Sequence, residues 1–303
     1  MGDGSEPSVH PGNTLNALSG EEWLYFTKSL WTTAYPSELG HALRRRHGAN
    51  KPPRLMARLI EFFTKPGELV LDPFAGVGGT LLGAAICRQP RRALGFELEP
   101  RWLAVFEEVL LEASTERNGA GPLLRDLGSA DPGGERSFDP SGVTMRLGDM
   151  ARLLAELPDA SVDFVATDPP YNPQLRQTMA GGRLAERFPN RRTDYAMVTT
   201  DPADLANSAS YEEFLERMGS VFGQLRRVLR QGRYAVLIVR DAYQGGRYRF
   251  TAADLAAHAD SAGLVAKGSL VWYQAGTRLR PYGYPRGFVP NIAHQHILVL
   301  RAE

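Results

Sequence analysis

The sequence predicts an α/β fold: a seven-stranded mixed sheet with helices on both faces and an antiparallel last strand. Three observations predict it. Short, fully apolar runs alternate with longer segments of helical period, as in a sheet whose strands are buried beneath crossover helices. Leu69-Val-Leu-Asp72 runs through a glycine loop, Pro73-Phe-Ala-Gly76-Val-Gly78-Gly-Thr80, into a helix opening at Leu81, and a second strand, Ala93–Glu97, follows. That unit of strand, glycine loop, helix, strand and acid closes within roughly thirty residues, the spacing of a nucleotide-binding crossover. Lastly, the chain ends strand–loop–strand over 264–272 and 292–300, which suggests an antiparallel hairpin at the sheet edge.

Each element has a local reason. Residues 1–20, rich in Gly, Ser, Pro and Asn, read as a flexible tail, and residues 21–303 as a single domain. Trp23, Tyr25, Phe26 and Trp31 cluster in a segment expected to pack against that domain, with a base-stacking platform as the rival reading. In 41–53 three adjacent arginines stand beside two histidines, suited to a solvated face or to phosphate contacts alike. Leu55, Leu59, Ile60 and Phe63 share one face of a helix over 54–64. Pro100 opens a helix to about Glu112, and strands follow at 143–149 and 162–167, with a short helix over 150–157 between them. A long amphipathic helix over 211–230 precedes a strand at 234–239, and Thr251 is positioned to cap a helix running to 262. Two stretches break the pattern, about 114–142 and 172–209, and read as insertions.

Composition sets limits. The 303 residues are 43% hydrophobic and carry a net charge of +1, so polyanion binding has to come from local arginine clusters. A single cysteine rules out an intramolecular disulfide and a multi-cysteine zinc site, and fits a reducing cytosol. No run approaches the ~18 apolar residues of a membrane helix, so no membrane partner is expected.

The rarest stretch is Val162-Asp-Phe-Val-Ala-Thr-Asp168-Pro169-Pro170-Tyr171-Asn172, a buried strand delivering an acid, two prolines and an aromatic ring. A proline-stiffened turn would explain the prolines but neither the acid before them nor the ring after them. Together with the glycine loop, it resembles the S-adenosylmethionine-dependent DNA amino-methyltransferases that modify adenine N6 or cytosine N4. An upstream Lys51-Pro element, the glycine loop, the acid Glu97 and Asp-Pro-Pro-Tyr occur in the family's order over most of 36–301. The resemblance implies a Rossmann-like class I methyltransferase fold and S-adenosyl-L-methionine as cofactor. It implies cofactor contacts from Lys51, Asp72, Pro73, Phe74, Gly76, Gly78, Thr80, Glu97 and Asp149. In that scheme Glu97 takes the ribose hydroxyls and Asp149 the adenine amino group, while Asp72, Phe74, Gly76 and Gly78 line the methionine end, beside Lys51. An NAD-binding fold is the rival reading of the loop, but the G-x-G-x-x-G pattern is missing.

The resemblance also implies the chemistry. An exocyclic amino group is a poor nucleophile, because its lone pair is delocalised into the ring. Asp168 and a proline carbonyl from Pro169 or Pro170 would accept its two N–H groups and drive the nitrogen toward tetrahedral geometry. Asp168 would stabilise the developing positive charge, and Tyr171 would stack on the extruded base. The acid at 168 favours adenine N6 in DNA as the target; cytosine N4, or adenine N6 and guanine N2 in RNA, are the alternatives. C5-cytosine chemistry needs a thiolate, and the lone Cys87 follows the glycine loop, where no such nucleophile belongs. Weaker substrate candidates are Asn172, Arg176, Arg191, Arg192 and Arg280, the last within Arg278-Leu-Arg-Pro-Tyr-Gly-Tyr-Pro-Arg286-Gly-Phe, which interleaves cations with aromatics. His294 and His296 share a strand face and read as a structural pair, so no metal is expected. DNA is the expected partner, a homodimer is among the expected assemblies, and a bacterial or archaeal cytosol with a restriction–modification role is the expected setting.

Overall fold

A computed structural model describes residues 9–35, 37–89, 91–118, 138–170 and 199–303. The strands are β1 (Leu30–Trp31), β2 (Leu69–Asp72), β3 (Arg92–Glu97), β4 (Val143–Leu147), β5 (Val162–Thr167), β6 (Leu229–Val239), β7 (Ala242–Gln244), β8 (Arg247–Arg249), β9 (Leu264–Tyr273) and β10 (His294–Ala302). The helices are α1 (Gly20–Phe26), α2 (His41–Arg44), α3 (Pro53–Phe63), α4 (Gly79–Ala85), α5 (Pro100–Asn118), α6 (Met150–Ala155), α7 (Tyr211–Val228) and α8 (Thr251–Ser261).

The main sheet runs β1-β9-β10-β6-β5-β2-β3-β4, and only β10 is antiparallel to its neighbours β6 and β9. The seven expected strands are all present. The added eighth, two-residue β1 pairs in parallel with β9 (Leu30↔Val271) and extends that edge. The closing hairpin differs from expectation in one respect: β10 inserts between β6 and β9 and is not itself an edge. From β2 the chain winds outward through β3 to β4, then returns to lay β5 on the other flank of β2, with Val70 opposite Phe164 and Leu71 opposite Val165. This reversal is a topological switch point, and the crevice at the carboxyl ends of β2 and β5 is where such sheets hold ligands.

Because strand side chains alternate, the sheet has an apolar core on each face. One face packs Phe164, Ala166, Val236 and Ile238 with Leu55, Ile60 and Phe63 of α3 and Leu81 of α4. The other packs Val165, Ala235, Leu237 and Val239 with Phe214, Met218 and Phe222 of α7 and Leu255 of α8.

Part of the N-terminal segment joins this body. Asn16 and Leu18 are buried, and the Asn16 side chain donates to the Phe62 carbonyl at 2.6 Å. The aromatic segment that follows packs as expected, with the Phe26 and Phe62 rings stacked at 3.5 Å and Trp23 tilted against Phe62 at 4.8 Å. Thr251 is not a cap: Phe250 occupies the N-cap of α8, and Thr251 is the first helical residue, buried beneath it. The β7–β8 hairpin was not expected; its turn is Gly245-Gly246, both at positive φ. Among the described residues no helix is long and apolar enough to cross a membrane.

Candidate active site at the switch point

A cavity of about 540 Å³ opens at the carboxyl ends of β2, β3 and β5. Its wall includes Lys51, Asp72, Pro73, Phe74, Gly76, Thr80, Glu97, Asp149, Asp168, Pro169 and Pro170. Sequence motifs lying far apart in the chain thus meet around one space. Tyr171, Asn172, Arg176, Arg191 and Arg192 lie outside the described residues, as does most of both insertions. Arg280 sits in the β9–β10 loop, where its backbone N–H and carbonyl both bond the Asn291 side chain at 2.8 Å, and it does not line the cavity.

Asp72 ties the two motif loops together. Its Oδ1 accepts from Thr167 Oγ1 at 2.6 Å and from the Phe74 N–H at 3.0 Å, and its Oδ2 accepts from Thr80 Oγ1 at 2.5 Å. One carboxylate therefore bridges the end of β2, the start of α4 and the end of β5. Burial pushes its carboxyl up to about 6 even though those three donors favour the charged form, and nearby Asp168 adds to the rise. With both oxygens held by protein donors, Asp72 acts on the cavity by fixing its floor.

The glycines are needed where they stand. Gly78, at φ +76°, is the N-cap of α4, and a Cβ there would fall 2.1 Å from the Phe106 ring of α5. It shapes the loop without lining the cavity, whereas Gly76 does line it, and a Cβ there would meet His47 at 3.3 Å.

Glu97 ends β3 at the opposite wall. Burial pushes its carboxyl up to about 7, and the backbone N–H groups of Glu99, Gly76 and Leu98 restrain that rise only in part. Asp149 caps α6 through the Ala151 N–H at 3.1 Å, and its side chain reaches the cavity rim.

Asp168 and Lys51 form the remaining feature. Burial raises the Asp168 carboxyl above its ordinary value, while the Lys51 ammonium, bonded to Oδ2, opposes the rise. Oδ1 is buried and has no hydrogen-bond partner among the described residues. An unpaired buried carboxylate oxygen is costly, which makes it a ready acceptor for a ligand N–H. The Lys51 carbonyl is itself held by the buried Arg44 guanidinium at 2.6 Å, so one of the three adjacent arginines does internal work.

Pattern reasoning missed several wall residues. Asn50 lines the cavity with its Nδ2 buried and unpartnered among the described residues, and His47, pushed down to about 4 by burial, stays neutral beside it. Thr199, Asp204 and Leu205 come from the end of the second insertion, where Arg217 of α7 clamps the Pro202 and Ala203 carbonyls at 2.9 and 3.0 Å. Trp272, Gln274 and Gln295 come from β9 and β10. The signal for Asn50 was its adjacency to Lys51; the others had no local signal.

The cavity does not touch Cys87, which is buried with its Sγ toward the Gly83 carbonyl at 3.4 Å. His294 and His296 are joined by Asp241, the ligand-capable atoms of all three lying within 4.8 Å of one another. The Asp241 oxygens already accept from Tyr248 Oη at 3.1 Å and from the Ala252 N–H at 3.3 Å, anchoring the β7–β8 hairpin and the start of α8.

The sequence pattern of the DNA methylase family that modifies N6 and N4 positions matches residues 10–108 and 162–303 of this chain. The chain belongs to that family. The unmatched span, 109–161, contains the first of the two insertions. Within curated relatives of the family, the type II methyltransferase M.MthZI of Methanothermobacter thermautotrophicus is 33% identical over 99 residues, covering 32% of this chain and 27% of the relative. M2.DpnII of Streptococcus pneumoniae is 34% identical over 91 residues, covering 30% of this chain and 32% of the relative. The matches thus span a third or less of those relatives' length. Of the solved structures, TrmN from Thermus thermophilus aligns with 83% of this chain and 48% of its own, at 17% identity and a TM-score of 0.42.

Proposed function

We propose that this methylase transfers a methyl group from S-adenosyl-L-methionine to an exocyclic amino group of a DNA base, with adenine N6 as the target. The observation that carries the reading is the Asp168 carboxylate in the cavity wall, with one oxygen paired to Lys51 and the other buried and without a partner among the described residues.

The residues present fit the cofactor. The glycine loop leaves room where side chains would intrude, Asn50 offers a buried donor with no partner among the described residues, and Glu97 offers a carboxylate at the end of β3, where a ribose is gripped. When bound, S-adenosyl-L-methionine supplies an electrophilic methyl group on a sulfonium centre. Phe74, Gly76 and Asn50 would surround its methionine end, Glu97 would accept from the ribose hydroxyls, and Asp149 would accept from the adenine amino group. Asp168 Oδ1 accepts one N–H of the target amino group, and a proline carbonyl accepts the other. These two acceptors draw the lone pair out of ring conjugation and fix its direction. The ionised carboxylate then stabilises the positive charge that grows on nitrogen, and Lys51 keeps that carboxylate ionised in a buried setting. The acid at 168 favours adenine N6 over cytosine N4.

Replacing Asp168 with Ala tests the assignment. Methyl transfer from labelled cofactor to DNA should fall by about a hundredfold or more, while calorimetry still registers cofactor binding. Turnover retained at the wild-type level would reject the role. Nucleoside analysis of the methylated DNA then separates N6-methyladenine from N4-methylcytosine.

A further inference from the structure

We infer that the β9–β10 loop is the surface that grips duplex DNA beside the target base. The inference rests on the methyltransfer reading for its direction, but on separate residues for its evidence. Both ends of the loop belong to the cavity wall: Trp272 and Gln274 where it leaves β9, and Gln295 just after it enters β10. The loop is therefore anchored at both ends in the wall of the cavity.

Its side chains are unusual for a surface. Leu279, Tyr284 and Phe288 are 70%, 82% and 85% exposed, and Tyr282 is exposed as well. A cluster of large apolar side chains held in solvent marks an interaction site more often than chance. The exposure does not come from a loose chain. Asn291 clamps both backbone groups of Arg280, Arg286 and Gly287 donate to the Gly283 carbonyl at 2.8 and 2.9 Å, and Tyr282 donates to the Arg280 carbonyl at 2.8 Å. The backbone is folded on itself and the rings point away from it, so little ordering is left to do on binding.

Charge selects the occupant. Between Tyr273 and His294 the chain has no acidic residue, yet it carries Arg278, Arg280 and Arg286; Lys267 and Arg301, toward the far end of the hairpin, pair with Glu303. In a protein whose net charge is only +1, that is strong segregation. Arg278 and Arg286 are exposed on the loop, among the rings. Cations suit phosphates and flat rings suit bases. A duplex from which one base has swung out offers both, since its backbone runs past the opening and the neighbouring bases lose a stacking partner.

Fluorescence anisotropy with a labelled mixed-sequence DNA duplex tests this, with calorimetric titration of S-adenosyl-L-methionine and circular dichroism run on every variant. The double variant Tyr284→Ala with Phe288→Ala should weaken DNA binding by about tenfold or more at fixed salt. Arg278→Ala with Arg286→Ala should reduce the salt dependence of log K by roughly 2, one phosphate contact each. Cofactor binding should stay unchanged in both. If the aromatic double variant misfolds, the two single variants are read in its place. Wild-type DNA affinity and salt slope in both pairs would overturn the inference, as would a preference of the unaltered protein for matched duplex RNA. DNA binding that depends on the loop without methyl transfer would reject the function proposed above and keep this one. Methylation of DNA with the loop variants unimpaired would do the reverse.

Discussion

Lys51 occupies an unexpected position for a residue assigned to the methionine end of the cofactor. Its ammonium bonds the carboxylate of Asp168, 117 positions later in the chain. A buried carboxylate with no cation beside it drifts toward its neutral form, and a neutral Asp168 could not balance the charge growing on a methylated nitrogen. The sign follows directly. In the proposed mechanism the ionised form is the active one, so the acidic limb of the pH–rate profile should track the Asp168 titration, which burial raises and Lys51 holds down. The variant Lys51→Met should shift the limb to higher pH, with most of the activity recovered by raising pH. Lys51→Arg should keep it near the wild-type position. A pH-independent loss in Lys51→Met would instead assign Lys51 to cofactor binding alone.

At the scale of elements, Gly78 shows how loop geometry and helix packing are linked. It must be left-handed to start α4, and it must lack a Cβ because Phe106 of α5 rests on it. Gly78→Ala should destabilise the fold by about 1–3 kcal/mol, from strain plus overpacking, read as a lower denaturation midpoint with an unchanged slope. Gly67→Ala is the control: it shares φ +76°, but its Cβ would meet nothing within 4 Å, so it carries the backbone strain without the clash. These elements were largely legible in sequence, because apolar period and glycine position are local properties. β2, β5 and α7 fall within a residue or two of expectation for that reason. β6 begins at Leu229, five residues ahead of the expected Tyr234: Leu229 pairs with Val162, the register then shifts across a bulge, and pairing resumes at Tyr234 opposite Phe164. The β7–β8 hairpin has a legible signal in Gly245-Gly246, a turn dipeptide between two short polar–aromatic runs. The site divided along the same line. Its motif residues could be named from their resemblance to the family's motifs, whereas the bond between Asp72 and Thr167 exists because β2 and β5 lie side by side, and that between Lys51 and Asp168 because the start of α3 packs over β5.

Across the whole molecule, the switch point stores buried acid. Glu97 and Asp72 are held up to about 7 and about 6, against ordinary values of 4.5 and 3.8. At these two groups the folded chain therefore binds more protons than the unfolded chain from about pH 4 to about pH 7, while His47, pushed down from 6.5 to about 4, works in the opposite direction. Stability conferred by these groups is greatest in acid and falls as pH rises through that window. This is the reverse of a salt-bridged carboxylate. Donors arriving at Glu97 would favour its charged form, so a ligand with a ribose should release protons on binding near pH 7 and bind more tightly as pH rises. Because His47 opposes the trend below about pH 6.5, the Glu97 part is read as a difference: across about pH 5 to 7.5 the unfolding temperature of the free wild type should fall further with rising pH than that of Glu97→Gln or of the protein in excess S-adenosyl-L-methionine. Calorimetry in two buffers of different ionisation enthalpy should show proton release for the wild type and little for Glu97→Gln. Equal slopes in the wild type and Glu97→Gln, with no buffer dependence in either, would mean that Glu97 is already satisfied by the backbone N–H groups around it. The ribose would then have to be held by another part of the wall.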